Sequence, residues 1–225
     1  MRILISFLIM MMIKVFSHIF YRLHLKWLSE IQDFKKIRLI VILNHTSLYE
    51  PIFVSAVPVS FVWRFARKMV IPGANKTLDR PIVGLFWKLI GGKGMISITR
   101  KRDKSWQQFL QAIENRSMIA IAPEGRMMRK NGLDAYGKPM SIKSGIADIL
   151  FELNEGRMLI AYSGGLHHIQ HPGQLIPRLF KDIHLNLEVL EINDYKANFS
   201  NDFMTFKNQL VSDLELRLKN NRPLS

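Results

Sequence analysis

The sequence predicts an α/β fold, a single domain with a central, mostly parallel sheet flanked by helices, preceded by an amphipathic N-terminal helix. Three observations predict it. From residue 37 onward, short apolar runs alternate with stretches of helical periodicity. One run, "IRLIVIL" at Ile37–Leu43, is dominated by aliphatic and β-branched residues, as interior parallel strands covered on both faces are. The chain has 225 residues, 48% of them hydrophobic, which is enough to bury one ordinary core, and no repeat or linker divides it.

The elements follow in order. Residues 3–13, "ILISFLIMMMI", form an apolar run shorter than the roughly twenty residues needed to cross a hydrocarbon core, and Lys14 interrupts it. Lys14, His18, Arg22 and Lys26 recur every four residues, which predicts one basic stripe on a helix continuing to about residue 27. Such a helix can lie at a membrane interface, with Phe16, Phe20, Leu23 and Trp27 in the acyl boundary and the cations among anionic headgroups. That makes residues 1–30 an interface helix and residues 31–225 the folded domain. A signal peptide is disfavoured because no A-x-A-like site follows before Lys26. A helix packed on the protein's own core and a tilted single span remain open.

Beyond Ile37–Leu43, Pro51 suits the first turn of a helix over residues 51–57, with Ser47 or Glu50 near its cap. Further strands are expected at 95–99, 118–122, 158–162 and 183–190, and helices at 82–89, 104–115 and 146–154. A last amphipathic helix, over 201–219, carries Phe203, Phe206, Leu210 and Leu214 on one face.

Thirty-two Lys and Arg against eighteen Asp and Glu give a formal charge of +14, which favours an anionic partner: nucleic acid, phospholipid headgroups or a phosphorylated substrate. The absence of cysteine excludes disulfides, thiolate nucleophiles and Cys-ligated metal.

The stretch "VILNHTSLYEPIF" puts His45 at the end of the first interior strand and Glu50 five residues later. Open α/β sheets gather ligands beyond the carboxyl ends of their strands. Histidine titrates near neutrality, and a carboxylate on one ring nitrogen fixes the tautomer and stabilises the imidazolium that forms when the other takes a proton. The pair alone reads more readily as a hydrogen-bonded structural histidine than as a catalyst, and Ser47 as a helix cap. A second segment, "MIAIAPEGRMMRKNG", places Glu124, Gly125 and Arg126 at another strand end, where glycine permits close backbone approach and the guanidinium suits phosphate. On its own, that segment reads as a turn with a solvated ion pair.

Together the two segments resemble the glycerophospholipid acyltransferase family, of which lysophosphatidic acid acyltransferases are members, over most of the chain. The family's first motif is N-H-x-S with an acid five residues after the histidine, here "NHTSLYE". Its second region is matched by "ARKMV", "PIVGLFWKLIGG" and "MISITRKRD", ending at Arg100. Its third, E-G-T-R followed by K-x-G, is matched by "PEGRMMR" and by Lys143 and Gly145. The resemblance implies transfer of a fatty acyl group from acyl-CoA or acyl-carrier protein, as co-substrate, to a lysophospholipid hydroxyl, most simply that of 1-acylglycerol-3-phosphate. No metal or other cofactor and no acyl-enzyme are implied. His45 would be the base and Glu50 its orienting acid. Lys68, Arg100, Glu124, Gly125 and Arg126 would shape the acceptor site. Anionic membrane lipids are the further partner, nucleic acid is not one, and the expected place is the cytoplasmic face of a membrane.

Three departures from the family pattern are present. Glu50 stands where the family has aspartate, and "EGRM" lacks the family's threonine, so Arg126 and Arg129 both remain candidates for the phosphate. "LIAYSGGLHHI" lacks the proline of the family's fourth motif, and a differently headed or phosphate-free acceptor stays open. His167, His168 and His171 invite a metal site, but with neither a helical H-x-x-x-H pair nor an assigned acid they read as a polar loop. A basic nucleic-acid-binding module is the other class; "TRKRDK" and "RMMRK" are its local clusters, and no recognised motif supports it.

Overall fold

Ile37–Leu43 forms β2 at the middle of the sheet. A computed structural model describes residues 1–99, 101–114, 117–171, 174 and 176–224. In chain order the elements are α1 (Arg2–Phe20), β1 (Tyr21–Trp27), β2 (Ile37–Leu43), a 3-10 helix (Glu50–Ala56), α2 (Val59–Lys68), β3 (Met69–Ala74), α3 (Asn75–Leu78), α4 (Pro81–Gly91), β4 (Met95–Ile98) and α5 (Lys104–Gln111). They continue with β5 (Met118–Ile121), α6 (Gly145–Glu152), β6 (Arg157–Ser163), β7 (Lys181–Glu191), α7 (Ile192–Lys196) and α8 (Phe203–Asn221). Among the described residues these strands make one seven-stranded sheet in the order β1-β7-β6-β2-β5-β3-β4. Every neighbouring pair is parallel except β6 with β7. The expected α/β class with a mostly parallel sheet is therefore what the chain forms.

Alternation along β2 splits the core. Leu39, Val41 and Leu43 point into a cluster with Trp106 and Phe109 of α5, Ile146 and Leu150 of α6, and Phe206, Leu210 and Leu214 of α8. Ile40 and Ile42 point to the other face, against Ile52 and Phe53 of the 3-10 helix and Phe61 of α2. Ile37 joins that second face although its odd number alone would place it on the first; the register slips between Ile37 and Leu39, and the bulge changes the parity. α8 begins on Asp202, whose carboxylate accepts the Thr205 N–H at 2.8 Å, and its buried stripe is the expected one.

The N-terminal expectation needs correction. The helix ends at Phe20, and residues 21–27 form β1, paired in parallel with β7. A spacing of four satisfies a strand as well as a helix, and "YRLHLKW" in fact alternates strictly, with Arg22, His24 and Lys26 on one face and Tyr21, Leu23, Leu25 and Trp27 on the other. Arg22 and Lys26 thus leave the helical stripe. Phe16, Phe20, Leu23 and Trp27 pack on the second core cluster, which removes them from the acyl boundary to which the sequence reading sent them.

Lys14 also faces the protein. Its Nζ donates to the carbonyls of Val54, Ser55 and Val57 at 3.3, 2.9 and 2.7 Å, closing the C-terminal end of the 3-10 helix, where helix carbonyls lack partners. Ser17 Oγ donates to Ile52 O at 3.1 Å and Ser6 Oγ to Ile90 O, so α1 is fastened to the domain along its length. α2 and β3 had no counterpart in the sequence reading. Pro72 and Gly73 break the strand signal of β3, but Pro72 lies where β3 has passed from β5 to β4.

Candidate active site

β2 leads straight into the site. Asn44 leaves the strand at a φ of 65°, a left-handed turn that asparagine tolerates, and its Nδ2 donates to Ser163 O at the end of β6, 2.7 Å away. The turn carries His45 off the sheet into the 3-10 helix whose first residue is Glu50. His45 Nδ1 and Glu50 Oε2 are 2.6 Å apart, and Glu50 Oε1 accepts the Thr46 N–H at 2.9 Å. An ionised carboxylate can only accept, so in this pairing Nδ1 carries the proton, and in that tautomer of the neutral ring the lone pair is on Nε2. Glu50 is buried, and the His45 side chain is 19% exposed. Ser47 Oγ donates to Gln170 Oε1 and accepts the Tyr49 N–H at 3.1 Å, a local turn ahead of the helix; the cap position is Tyr49, so Ser47 does not take the capping role the sequence allowed.

The loop after β5 meets this turn from the side. Buried Glu124 accepts the Asn44 N–H on Oε1 at 2.8 Å and the His45 N–H on Oε2 at 2.7 Å, so one carboxylate grips two successive amides of the histidine turn. Burial raises the Glu124 pKa, and the two amides oppose that shift. Gly125 sits at a φ of 67° with its N–H on Ala122 O, a conformation that favours glycine. Beyond it, Met128 N–H donates to His45 O at 2.8 Å and Met128 O meets His167 Nε2 at 2.7 Å, which stitches three loops together.

These loops line a cleft of about 750 Å³. Its body is apolar, with Phe53, Phe61 and Phe65 on one side and Ile98, Trp106 and Ile146 on another. His45, Glu50 and Glu124 contribute polar wall, and Lys101, Arg102, Arg126, Lys138 and Lys143 contribute positive charge.

The residues named from the sequence fall into three groups. His45, Glu50, Glu124, Gly125 and Arg126 are brought together on the cleft. Lys68 closes α2 and is not among the described residues lining it. Arg100 lies outside the described residues. Arg126 is already engaged: it pairs with buried Asp134 and lies over the Tyr136 ring, 4.6 Å from its centroid. The Lys138 amide and the Arg126 guanidinium hold the Asp134 carboxyl down, at about 2. Lys101, Arg102, Lys138 and Lys143 were not assigned a role from the sequence, although "TRKRDK" and the K-x-G lysine had marked three of them. Arg102 is bonded to Asp148 at 2.9 Å. The stem of Lys143 passes close to Gly125, and its amide donates to Pro123 O at 2.9 Å, so it is fixed to the turn that carries Glu124.

His167 and His168 each place Nε2 on a backbone carbonyl, of Met128 and Asp182, at 2.7 Å. Among the described residues no three His, Asp or Glu side chains are grouped to hold a metal ion.

The crystal structure of the 1-acyl-sn-glycerophosphate (LPA) acyltransferase PlsC from Thermotoga maritima has a similar fold, with a TM-score of 0.56 at 15% identity, over 94% of this chain and 79% of that one. No curated protein sequence matches the chain. The family model described as Acyltransferase matches residues 26–163, from the end of β1 to the end of β6. That span contains both strand-end loops, the first of which carries the histidine–glutamate pair, and the chain belongs to the acyltransferase family.

Proposed function

We propose that the protein moves a fatty acyl group from an acyl thioester, acyl-CoA or acyl-carrier protein, to a hydroxyl of a lysophospholipid, 1-acylglycerol-3-phosphate in the simplest case. The observation that carries this is the 2.6 Å contact between His45 Nδ1 and Glu50 on the wall of an apolar cleft of about 750 Å³. The acceptor oxygen attacks the thioester carbonyl while Nε2 of His45 takes its proton. Glu50 holds the ring and stabilises the imidazolium. When the tetrahedral adduct collapses, the carbon–sulfur bond breaks and the imidazolium returns the proton to the leaving thiolate, so the enzyme ends as it began. No acyl-enzyme forms on this route. Glu124 acts one step back, setting the direction in which His45 leaves the strand. The apolar cleft holds acyl chain, and Lys101, Lys138 and Lys143 supply charge for the phosphates of donor or acceptor.

A phosphate-free acceptor is the second reading. The ion pair of Arg126 with Asp134 favours it, because that guanidinium is already neutralised.

The reaction takes place at a membrane surface, on its cytoplasmic face in this reading. α1 has the length and composition to cross a bilayer. The bonds from Ser6, Lys14 and Ser17 into the domain instead support a helix that lies along the surface.

The test is thiol release by purified protein given acyl-CoA and a panel of lysolipids, with and without phosphate. Turnover should need the acceptor and should fall by about 10²–10⁴ in His45→Ala. A folded His45→Ala protein that keeps the parent rate would refute the assignment.

A further inference from the structure

α1 and α4 are apolar on their outer faces as well as on the faces that pack on the domain, where Met10, Phe16 and Ile90 lie. On α1 the polar residues Ser6, Lys14 and Ser17 face the domain, whereas Ile3, Leu4, Leu8, Met12, Val15 and Ile19 face outward and are 45–65% exposed. On α4, Gly84, Ile90 and Gly91 face inward, and a Cβ on Gly84 would stand 2.1 Å from Leu78 O, so the helix lies directly on α3. Ile82, Leu85, Phe86 and Leu89 face outward, Ile82 at 83% exposure. A helix facing water turns its apolar stripe inward. The two helices touch, through Ser6 Oγ on Ile90 O, so their apolar outer faces adjoin.

Charge is concentrated beside them. Residues 59–104 hold eleven Lys and Arg against two Asp, and residues 1–29 hold no acid at all. Residues 105–225 are nearly balanced, with fourteen Lys and Arg against thirteen Asp and Glu. Arg67, Lys76, Arg80, Lys88 and Lys93 are exposed around α4.

We propose that α4 is a second lipid-inserting element, and that α1 and α4 form one platform seated on a bilayer leaflet whose anionic headgroups meet the cations of residues 59–104. The choice of a bilayer rests on the membrane-surface reading above. Charge favours it over a second copy of this chain, which would bring the same cationic rim against itself. Met10, Trp87 and Ile90 of these helices also line the cleft, so the platform is the cleft's outer wall and seating it brings the leaflet to the site.

The test is co-sedimentation of the full chain with phosphatidylcholine vesicles, with and without phosphatidylglycerol, across a salt series. The parent should bind the anionic vesicles more tightly and lose that advantage as salt rises. Ile82→Asp with Leu85→Asp should weaken binding about tenfold or more. Lys88→Glu with Lys93→Glu should flatten the salt dependence. Leu216→Asp, at a 57% exposed position on the helix covering the opposite face of the sheet, should bind as the parent does. Circular dichroism checks the fold, and the milder pair Ile82→Ser with Leu85→Ser takes the place of the aspartates if those unfold. Parent-like binding by the α4 variants, alongside failure of Leu8→Asp, would overturn the proposal in favour of α1 alone. Loss of a dimer, with vesicle binding unchanged, would overturn it in favour of a second copy. Thiol release from detergent-dispersed acceptor reads the catalytic assignment separately: α4 variants that fail on vesicles yet turn over in detergent support both readings, and a parent active in detergent that binds no vesicle overturns only this one.

Discussion

The two strand-end loops put the same residue type to different uses. After β2, Glu50 turns its carboxylate to a side chain, the ring of His45, with one further amide on its second oxygen. After β5, Glu124 turns its carboxylate wholly to the main chain, the amides of Asn44 and His45. The first arrangement acts on a group that can change protonation state during a reaction. The second acts on groups that cannot, and so fixes geometry. Burial alone does not separate the two, because both glutamates are buried; the identity of the donor does.

The largest effects should fall on the first loop. His45→Ala is expected to cut turnover by about 10²–10⁴, and Glu50→Gln by a smaller factor, since the base remains. The amide of Glu50→Gln keeps an acceptor for the Thr46 N–H, so its urea midpoint should stay near the parent's. Glu124→Ala should behave oppositely. It strands two buried amides, at about 1–3 kcal/mol each, and should lower the urea midpoint clearly while turnover falls because the histidine turn loosens. If Glu50→Gln proved as unstable as Glu124→Ala, the division between the loops would be wrong.

A smaller effect tests what supports the first loop from behind. Lys14→Met leaves the carbonyls of Val54, Ser55 and Val57 without their donor at the end of the helix that begins with Glu50. We expect a loss of about 1–3 kcal/mol in urea unfolding and a modest fall in turnover. An unchanged midpoint would mean that α1 is not fastened there.

The smallest effect belongs to the second loop and is read with pH. The folded-state pKa of Asp134 is lowered to about 2, below its ordinary value of about 3.9, so its contribution to stability is present above that ordinary value and lost as pH falls through the folded one. Between about pH 4 and pH 2 the parent should lose stability faster than Asp134→Asn. Parallel curves would show that the Arg126 pair and the Lys138 amide do not hold the carboxylate.

What the sequence disclosed follows the range of each interaction. β2 was legible because its side chains are covered on both faces, which demands an apolar run, and His45 and Glu50 were legible because they lie five residues apart on one turn. β1 was not, because a spacing of four fits both periods, and only the strict alternation of residues 21–27 distinguishes them. The role of Lys14 was hidden because its partners lie forty or more residues away, so that a cation in an apolar run looked like a headgroup contact. The grip of Glu124 on the histidine turn spans a similar distance, 79 and 80 residues. The pairing of Arg126 was hidden for the opposite reason: Asp134 is only eight residues on, but the spacing does not announce that the chain turns back between Arg129 and Leu133.

The most direct test of the central claim, that Glu50 works through His45, is a double-variant cycle on kcat/KM from the thiol-release assay. If Glu50 acts only by holding the imidazole, adding Glu50→Gln to His45→Ala should cost nothing beyond His45→Ala alone. Losses that multiply in the double variant would show that the carboxylate acts independently of the ring, and would contradict the account.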